Sequence, residues 1–194
     1  MSKNAGVEDD KRLIRGIMKG NRAAMQEFYS LTVRNMTATC SRYIVNQDDV
    51  KDILQDSYLK AFSSIGSFTP RNDGSLAAWL RRIVVNESLQ LLRRKKMLNQ
   101  FVSIDSVEDG QDVITDETEL NNYTASIDLQ ELMALVQQLP AGYRTIFNLH
   151  AIEKTPHSDI ASMLGISEGT SASQYHRARK LLAKLIIDHQ NQKL

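Results

Sequence analysis

The sequence predicts an all-α protein of two small helical domains joined by an acidic linker, and three observations carry that prediction. Apolar residues recur at helical spacing almost everywhere, with no alternating strand pattern longer than a few residues. Only three of the 194 residues are proline, so helices meet few breakers. Charge is segregated along the chain. Residues 1–96 hold 17 Lys and Arg against 10 Asp and Glu, residues 97–143 hold nine acids and no Lys or Arg, and residues 144–194 hold 7 against 4. A net charge of +1 thus conceals pieces of +7, −9 and +3. Two basic pieces around an acidic strip suggest two polyanion-binding modules with a connector that must not bind the polyanion. An ordinary disordered linker has the same composition.

The elements follow in order. Leu13, Ile14, Ile17 and Met18 form a short apolar face ending at Gly20. Asn21 is a plausible cap for a longer helix through Met25, Phe28, Leu31 and Met36, and Asp48 can cap the next, which carries Val50, Ile53, Leu54, Ala61 and Phe62. A turn-rich loop from Gly66 to Gly74 contains Phe68, Pro70 and Asn72-Asp73-Gly74. Ser75 then caps a long helix running to about Lys96. Residues 99–126 are polar, acidic and aperiodic. The boundaries expected are therefore a first domain over 8–96, a linker over 97–126 and a second domain over 127–190.

The second domain opens with an apolar face of Leu129, Leu132, Met133, Val136 and Leu139, terminated by Pro140 and Gly142. A helix from Tyr143 to Ile152 carries Ile146, Phe147 and Leu149. Thr155 caps a short helix with Pro156 at its first position, and Gly165 ends it. Ser167 caps a last helix to about His189, with Tyr175, Ala178, Leu181, Leu182, Leu185 and Ile186 facing inward.

No run approaches the roughly 18 apolar residues of a membrane span, and the N-terminus is charged where a signal peptide is apolar, so a cytoplasmic protein without membrane insertion is expected. A single cysteine, Cys40, forms no internal disulfide and reads as a small buried residue. His150, His157, His176 and His189 lack zinc-ligand spacing, and no glycine-rich loop carries a GK[ST] phosphate cradle. Neither an enzyme nor a metal or other cofactor is expected.

The last two helices, joined by a tight Gly165-Ile166-Ser167 turn, have the form of a helix-turn-helix, whose second helix enters a DNA major groove. At about 100° per residue, Ser173, His176, Arg177, Lys180 and Lys184 share one stripe opposite the apolar face. Arg can pair bidentately with guanine, while Lys and Ser hold phosphates. On the helix from Ser75, Trp79, Arg82, Asn86 and Arg93 gather away from Leu76, Leu80, Ile83, Val84 and Leu91. A stacking ring, cations and an edge reader suit single-stranded nucleic acid, and Arg93-Arg94-Lys95-Lys96 would meet phosphates. Trp79 can equally fold back against the neighbouring loop. Glu87 falls inside the apolar arc and calls for a buried partner. Asp49, Asp52 and Asp56, with Gln55 beside them, make an acidic stripe that DNA would repel, which suits a basic protein partner or a solvated face.

Asp52-Ile53-Leu54-Gln55-Asp56, Ala78-Trp79-Leu80-Arg81-Arg82-Ile83, Asn86 and Leu92-Arg93-Arg94 resemble conserved region 2 of bacterial sigma factors. Leu139-Pro140, Tyr143-Arg144, Phe147, Asp159-Ile160-Ala161, Leu164-Gly165-Ile166-Ser167, Gly169-Thr170 and Arg177-Ala178-Arg179 resemble region 4. With two regions and no space for a third, the chain resembles the small extracytoplasmic-function (ECF) subgroup. The resemblance implies a transcription initiation factor that binds core RNA polymerase, directs it to promoter DNA and aids promoter opening. It places polymerase binding on Asp52, Gln55 and Asp56, and capture of unpaired −10 bases on Asn86 and the loop around Phe68, with Trp79, Arg82, Arg93 and Arg94. The −35 readers it implies are Ser173, Gln174, His176, Arg177 and Lys180. It also implies a linker whose carboxylates stand in for RNA phosphates, and an anti-sigma factor as a further partner, though no residue identifies one.

Some positions depart from the family pattern. Gln90 stands where many members have Asp, and Ser171-Ala172-Ser173-Gln174-Tyr175-His176 replaces a more basic run, so weak autonomous DNA binding is expected. A stand-alone helix-turn-helix regulator is the alternative, but it leaves the Asp52-Gln55-Asp56 stripe and the Trp79 face without a role.

Overall fold

The computed structural model describes residues 3–68, 76–95 and 127–192. Pro70, Asn72-Asp73-Gly74, the Ser75 cap, Lys96 and the linker 97–126 lie outside the described residues. Eight α-helices and no strand occur among those described: α1 (Lys3–Met18), α2 (Arg22–Ser41), α3 (Gln47–Ser64), α4 (Leu76–Arg94), α5 (Leu129–Gln138), α6 (Ala141–Phe147), α7 (His157–Leu164) and α8 (Glu168–Asn191). The chain divides into two compact units, Met1–Leu91 and Leu92–Leu194. No helix among the described residues is long and apolar enough to cross a membrane.

In the first unit, Leu13, Ile14 and Ile17 of α1 are buried as their spacing predicts, but Met18 at the helix end is exposed. The chain then reverses through Gly20, whose φ of +70° suits a residue without a Cβ. Gly16 marks a close approach, since a Cβ there would meet the Ala24 Cβ at 2.6 Å. Asn21 caps α2 as expected, its side-chain oxygen accepting from the N–H of Ala23 and Ala24 at 2.9 and 3.2 Å. Phe28 and Met36 point inward while Leu31, on the edge of the buried arc, is exposed. Asn46, not Asp48, caps α3 by accepting from the N–H of Asp48 and Asp49. Both residues can cap, and the one placed first takes the role; Asp48 is left in the first turn, paired with Lys51 at 2.9 Å.

An aromatic cluster in which Phe28 meets Tyr58 and Phe62 edge-on, with Tyr58 and Phe62 tilted against each other, joins α2 to α3. Inside it Thr32 Oγ1 donates to the Phe28 carbonyl, so the Tyr58 hydroxyl, 2.7 Å away, donates to Thr32. A 3-10 turn over Ile65–Ser67 follows α3. On α4 Leu76, Leu80 and Val84 are buried, joined by Val85, Ser88 and Leu89, whereas Ile83 and Leu91 are half-buried. Cys40 is the buried thiol expected; its Sγ lies 3.6 Å from Ser88 Oγ, and burial pushes its pKa up to about 11.

In the second unit Asp128 caps α5 by accepting from the Gln130 N–H at 3.0 Å. Leu135, Val136 and Leu139 pack with Tyr143, Ala178, Leu182, Ala183 and Ile186 in one core. The helix expected from Tyr143 to Ile152 is α6 continued by a π-helical turn over Asn148–Ile152. Pro156 rather than Thr155 precedes α7, and no side chain caps that helix. Gly165 ends α7 in the left-handed conformation at φ 70°, its N–H donating to the Ala161 carbonyl. Ser167 Oγ accepts from the Thr170 N–H at 3.0 Å and starts α8.

Candidate nucleic-acid and protein interfaces

Three faces collect the residues singled out by sequence. On α3, Asp52, Gln55 and Asp56 are all exposed and fall within about 100° of one another. Among the described residues neither Asp52 nor Asp56 is ion-paired, because the nearby cations are engaged: Lys51 by Asp48 and Lys60 by Glu87. Asp49, by contrast, is half-buried at the stripe's edge. Leu59, 59% exposed, stands one turn beyond Gln55 and Asp56 in the same stripe. No local sequence signal marks Leu59 as functional, because single exposed apolar residues are common on folded surfaces.

On α4, Arg82, Asn86, Arg93 and Arg94 are exposed. Trp79 is half-buried, its ring centroid 5.2 Å from that of Phe68 at an interplanar angle of 44°. The indole therefore packs against Phe68, the arrangement in which Trp79 folds back on the residue leading into the loop. The start of α4 is held from a distance, since the Leu76 N–H donates to Asp10 Oδ2 of α1 at 2.8 Å. Sixty-six residues separate these partners, and no local signal marks Asp10 as a cap. Glu87 finds its partner in Lys60 of α3, with Nζ 2.6 Å from Oε1.

On α8, Ser173, His176, Arg177 and Lys184 are exposed and Lys180 is half-buried. Ser173 Oγ donates to the Thr170 carbonyl at 3.1 Å. Gln174 is a correction: it is 5% exposed and faces the interior, since it lies one residue, about 100°, away from the exposed row. Arg179 lies over the Tyr175 ring at 5.8 Å. The two helices of the motif are tied by His157 Nδ1, 2.9 Å from Ser171 Oγ. The His157 ring stacks on His150 at 4.0 Å, and His150 Nδ1 donates to the Thr155 carbonyl at 3.0 Å. Burial, with the neighbouring His150, holds the His157 pKa below the ordinary imidazole value, while Glu168 opposes the shift. Among the described residues no group of three or more His, Cys, Asp or Glu side chains converges to hold a metal ion.

The family pattern described as Sigma-70 region 2 matches residues 28–97, and that described as Sigma-70, region 4 matches residues 129–182. An ECF RNA polymerase sigma-E factor of Haemophilus influenzae is 27% identical over 186 residues, covering 91% of this chain and 95% of the relative. The RNA polymerase sigma factor SigV of Bacillus subtilis is 29% identical over 159 residues, covering 81% and 82%. Among solved structures, the sigma factor RpoE of Bartonella quintana, crystallised with the anti-sigma factor NepR, is 25% identical with a TM-score of 0.49, covering 82% of this chain and 94% of that one.

Proposed function

The chain belongs to the sigma-70 family of RNA polymerase sigma factors, in the extracytoplasmic-function subgroup, and from that membership we propose how its three faces divide the work of initiation. It is a transcription initiation factor that acts with core RNA polymerase on promoter DNA. Residues 8–96 dock on the polymerase through Asp52, Gln55 and Asp56 and meet the −10 element through Arg82, Asn86, Arg93 and Arg94. Arg and Asn there offer phosphate contacts and base-edge hydrogen bonds to a single strand. Trp79 and Phe68 pack together at the entry to the loop, so their part is to shape the base-capturing surface rather than to stack freely.

Residues 127–190 read the −35 duplex, with α8 in the major groove and Arg177, His176, Ser173 and Lys180 toward DNA. Gln174, being buried, drops out of that set. Residues 97–126 form the acidic connector, whose carboxylates keep it off DNA and stand in for RNA phosphates along the polymerase channel. The protein acts in the cytoplasm and does no chemistry of its own; the polymerase is the catalyst. An anti-sigma factor would compete for the same acidic and basic faces.

The observation that carries this reading is the exposed pair Asp52 and Asp56 on α3, neither of them ion-paired among the described residues, in a chain whose other two faces present arginines. A free-standing helix-turn-helix regulator has no use for that stripe, and the region 2 match over residues 28–97 occupies the space of its sensor domain. The test is equilibrium binding to core RNA polymerase at fixed moderate salt. The Asp52→Arg, Asp56→Arg double variant is expected to bind about 100-fold or more weakly, because like charges are brought together. Equal binding by variant and wild type, or no binding by wild type, overturns the assignment.

A further inference from the structure

Glu87 is an acid in the buried arc of α4, 7% exposed, and its carboxylate holds Lys60 of α3 at 2.6 Å. Lys60 has an alternative. It lies four residues after Asp56 on the same helix, the acid-before-base spacing at which an Asp–Lys pair forms most readily. Its side chain is 53% exposed, so nothing in its own packing keeps it away from the acidic stripe. In the structure the ammonium turns the other way, toward α4, and Asp56 is left without an ion pair.

We propose that Glu87 is a positioning residue for polymerase docking, sequestering the Lys60 ammonium so that Asp52 and Asp56 stay available to a basic partner. This inference rests on the reading of the α3 stripe as the polymerase-docking face. The physical reason is electrostatic. With Lys60 held by Glu87, the stripe presents two uncompensated carboxylates; with Lys60 released, one of them acquires a cation within reach and the local potential that steers a basic surface falls. Glu87 touches neither polymerase nor DNA in this scheme and works through Lys60, as a positioning residue. The pair also explains why an acid is tolerated in an apolar arc, since a buried carboxylate needs a partner.

The experiment measures association of the full-length protein with core RNA polymerase for wild type, Glu87→Met, Lys60→Met/Glu87→Met and the Asp52→Arg, Asp56→Arg variant. Replacing a buried charge by an apolar side chain of similar volume is compatible with folding, and thermal midpoints verify it. Glu87→Gln, which keeps an acceptor for Lys60 but not the charge, is a second and milder route. Glu87→Met is expected to associate about threefold to fivefold more slowly, a deficit that shrinks as salt rises. Lys60→Met/Glu87→Met is expected to return to the wild-type rate, because the released cation is gone. A role in packing alone predicts no such rescue. If Glu87→Met associates as fast as wild type, or the double Met variant stays as slow as Glu87→Met, while Asp52→Arg, Asp56→Arg loses binding, this inference falls and the docking assignment stands. If Asp52→Arg, Asp56→Arg binds normally, both fall.

Discussion

Arg144 offers the sharpest test of what holds the second unit together. It is 5% exposed, and Nη1 donates to the carbonyls of Gln137 and Leu139, each at 2.8 Å. These carbonyls close the C-terminal end of α5, where the last turn of any helix lacks partners within the helix. Arg144→Met keeps the volume and removes the donors. Each carbonyl left without its partner in a buried site costs about 1–3 kcal/mol. Against this, burial pulls the guanidinium pKa below its ordinary value, which means that desolvating the charge already costs stability that Met would recover. The two terms together leave a loss of about 1–4 kcal/mol for Arg144→Met. Arg144→Lys, with a point charge in place of a planar fork, is expected to lose about half as much. Urea denaturation followed by circular dichroism reads the change as a shift in midpoint at constant slope. A shift below about 0.5 kcal/mol, or a gain in stability, would refute the reasoning and show that the desolvation cost outweighs the two hydrogen bonds.

Two further outcomes are expected. Asp10→Ala removes the acceptor at the start of α4 and should cost about 1 kcal/mol, with faster hydrogen exchange at the Leu76 amide, whereas Asp10→Asn should retain most of the protection; unchanged exchange in Asp10→Ala would remove Asp10 from the role. Because the folded-state pKa of His157 is depressed, its contribution to stability is present above the ordinary imidazole value of 6.5 and is lost as pH falls below it toward the folded pKa. The denaturation midpoint of the second unit should therefore drop between pH 7.5 and 5.5, and His157→Gln should flatten that slope.

What was legible in the sequence was local. Asn21, Gly165 and Ser167 each act within one turn of their own position, so residue type and spacing suffice to place them. Apolar periodicity found the cores around Val84, Ile53 and Leu182 for the same reason. It failed at the edges of the buried arcs, where Met18 and Leu31 sit in the open and Gln174 turns inward, because a difference of one residue rotates a side chain by about 100°. The Asp48 cap failed to a competing residue two positions earlier, Asn46.

The segregated charges, the helical spacing and two motif sets thus determined by themselves an all-α, two-part chain with one acidic and two basic faces. Only the tertiary structure decided how those faces are supported. Asp10 reaches the start of α4 across 66 residues, Lys60 and Glu87 meet across 27, and His157 and Ser171 across 14. Such partners are chosen by how helices pack, and packing depends on burial and shape summed over the whole unit rather than on any one turn.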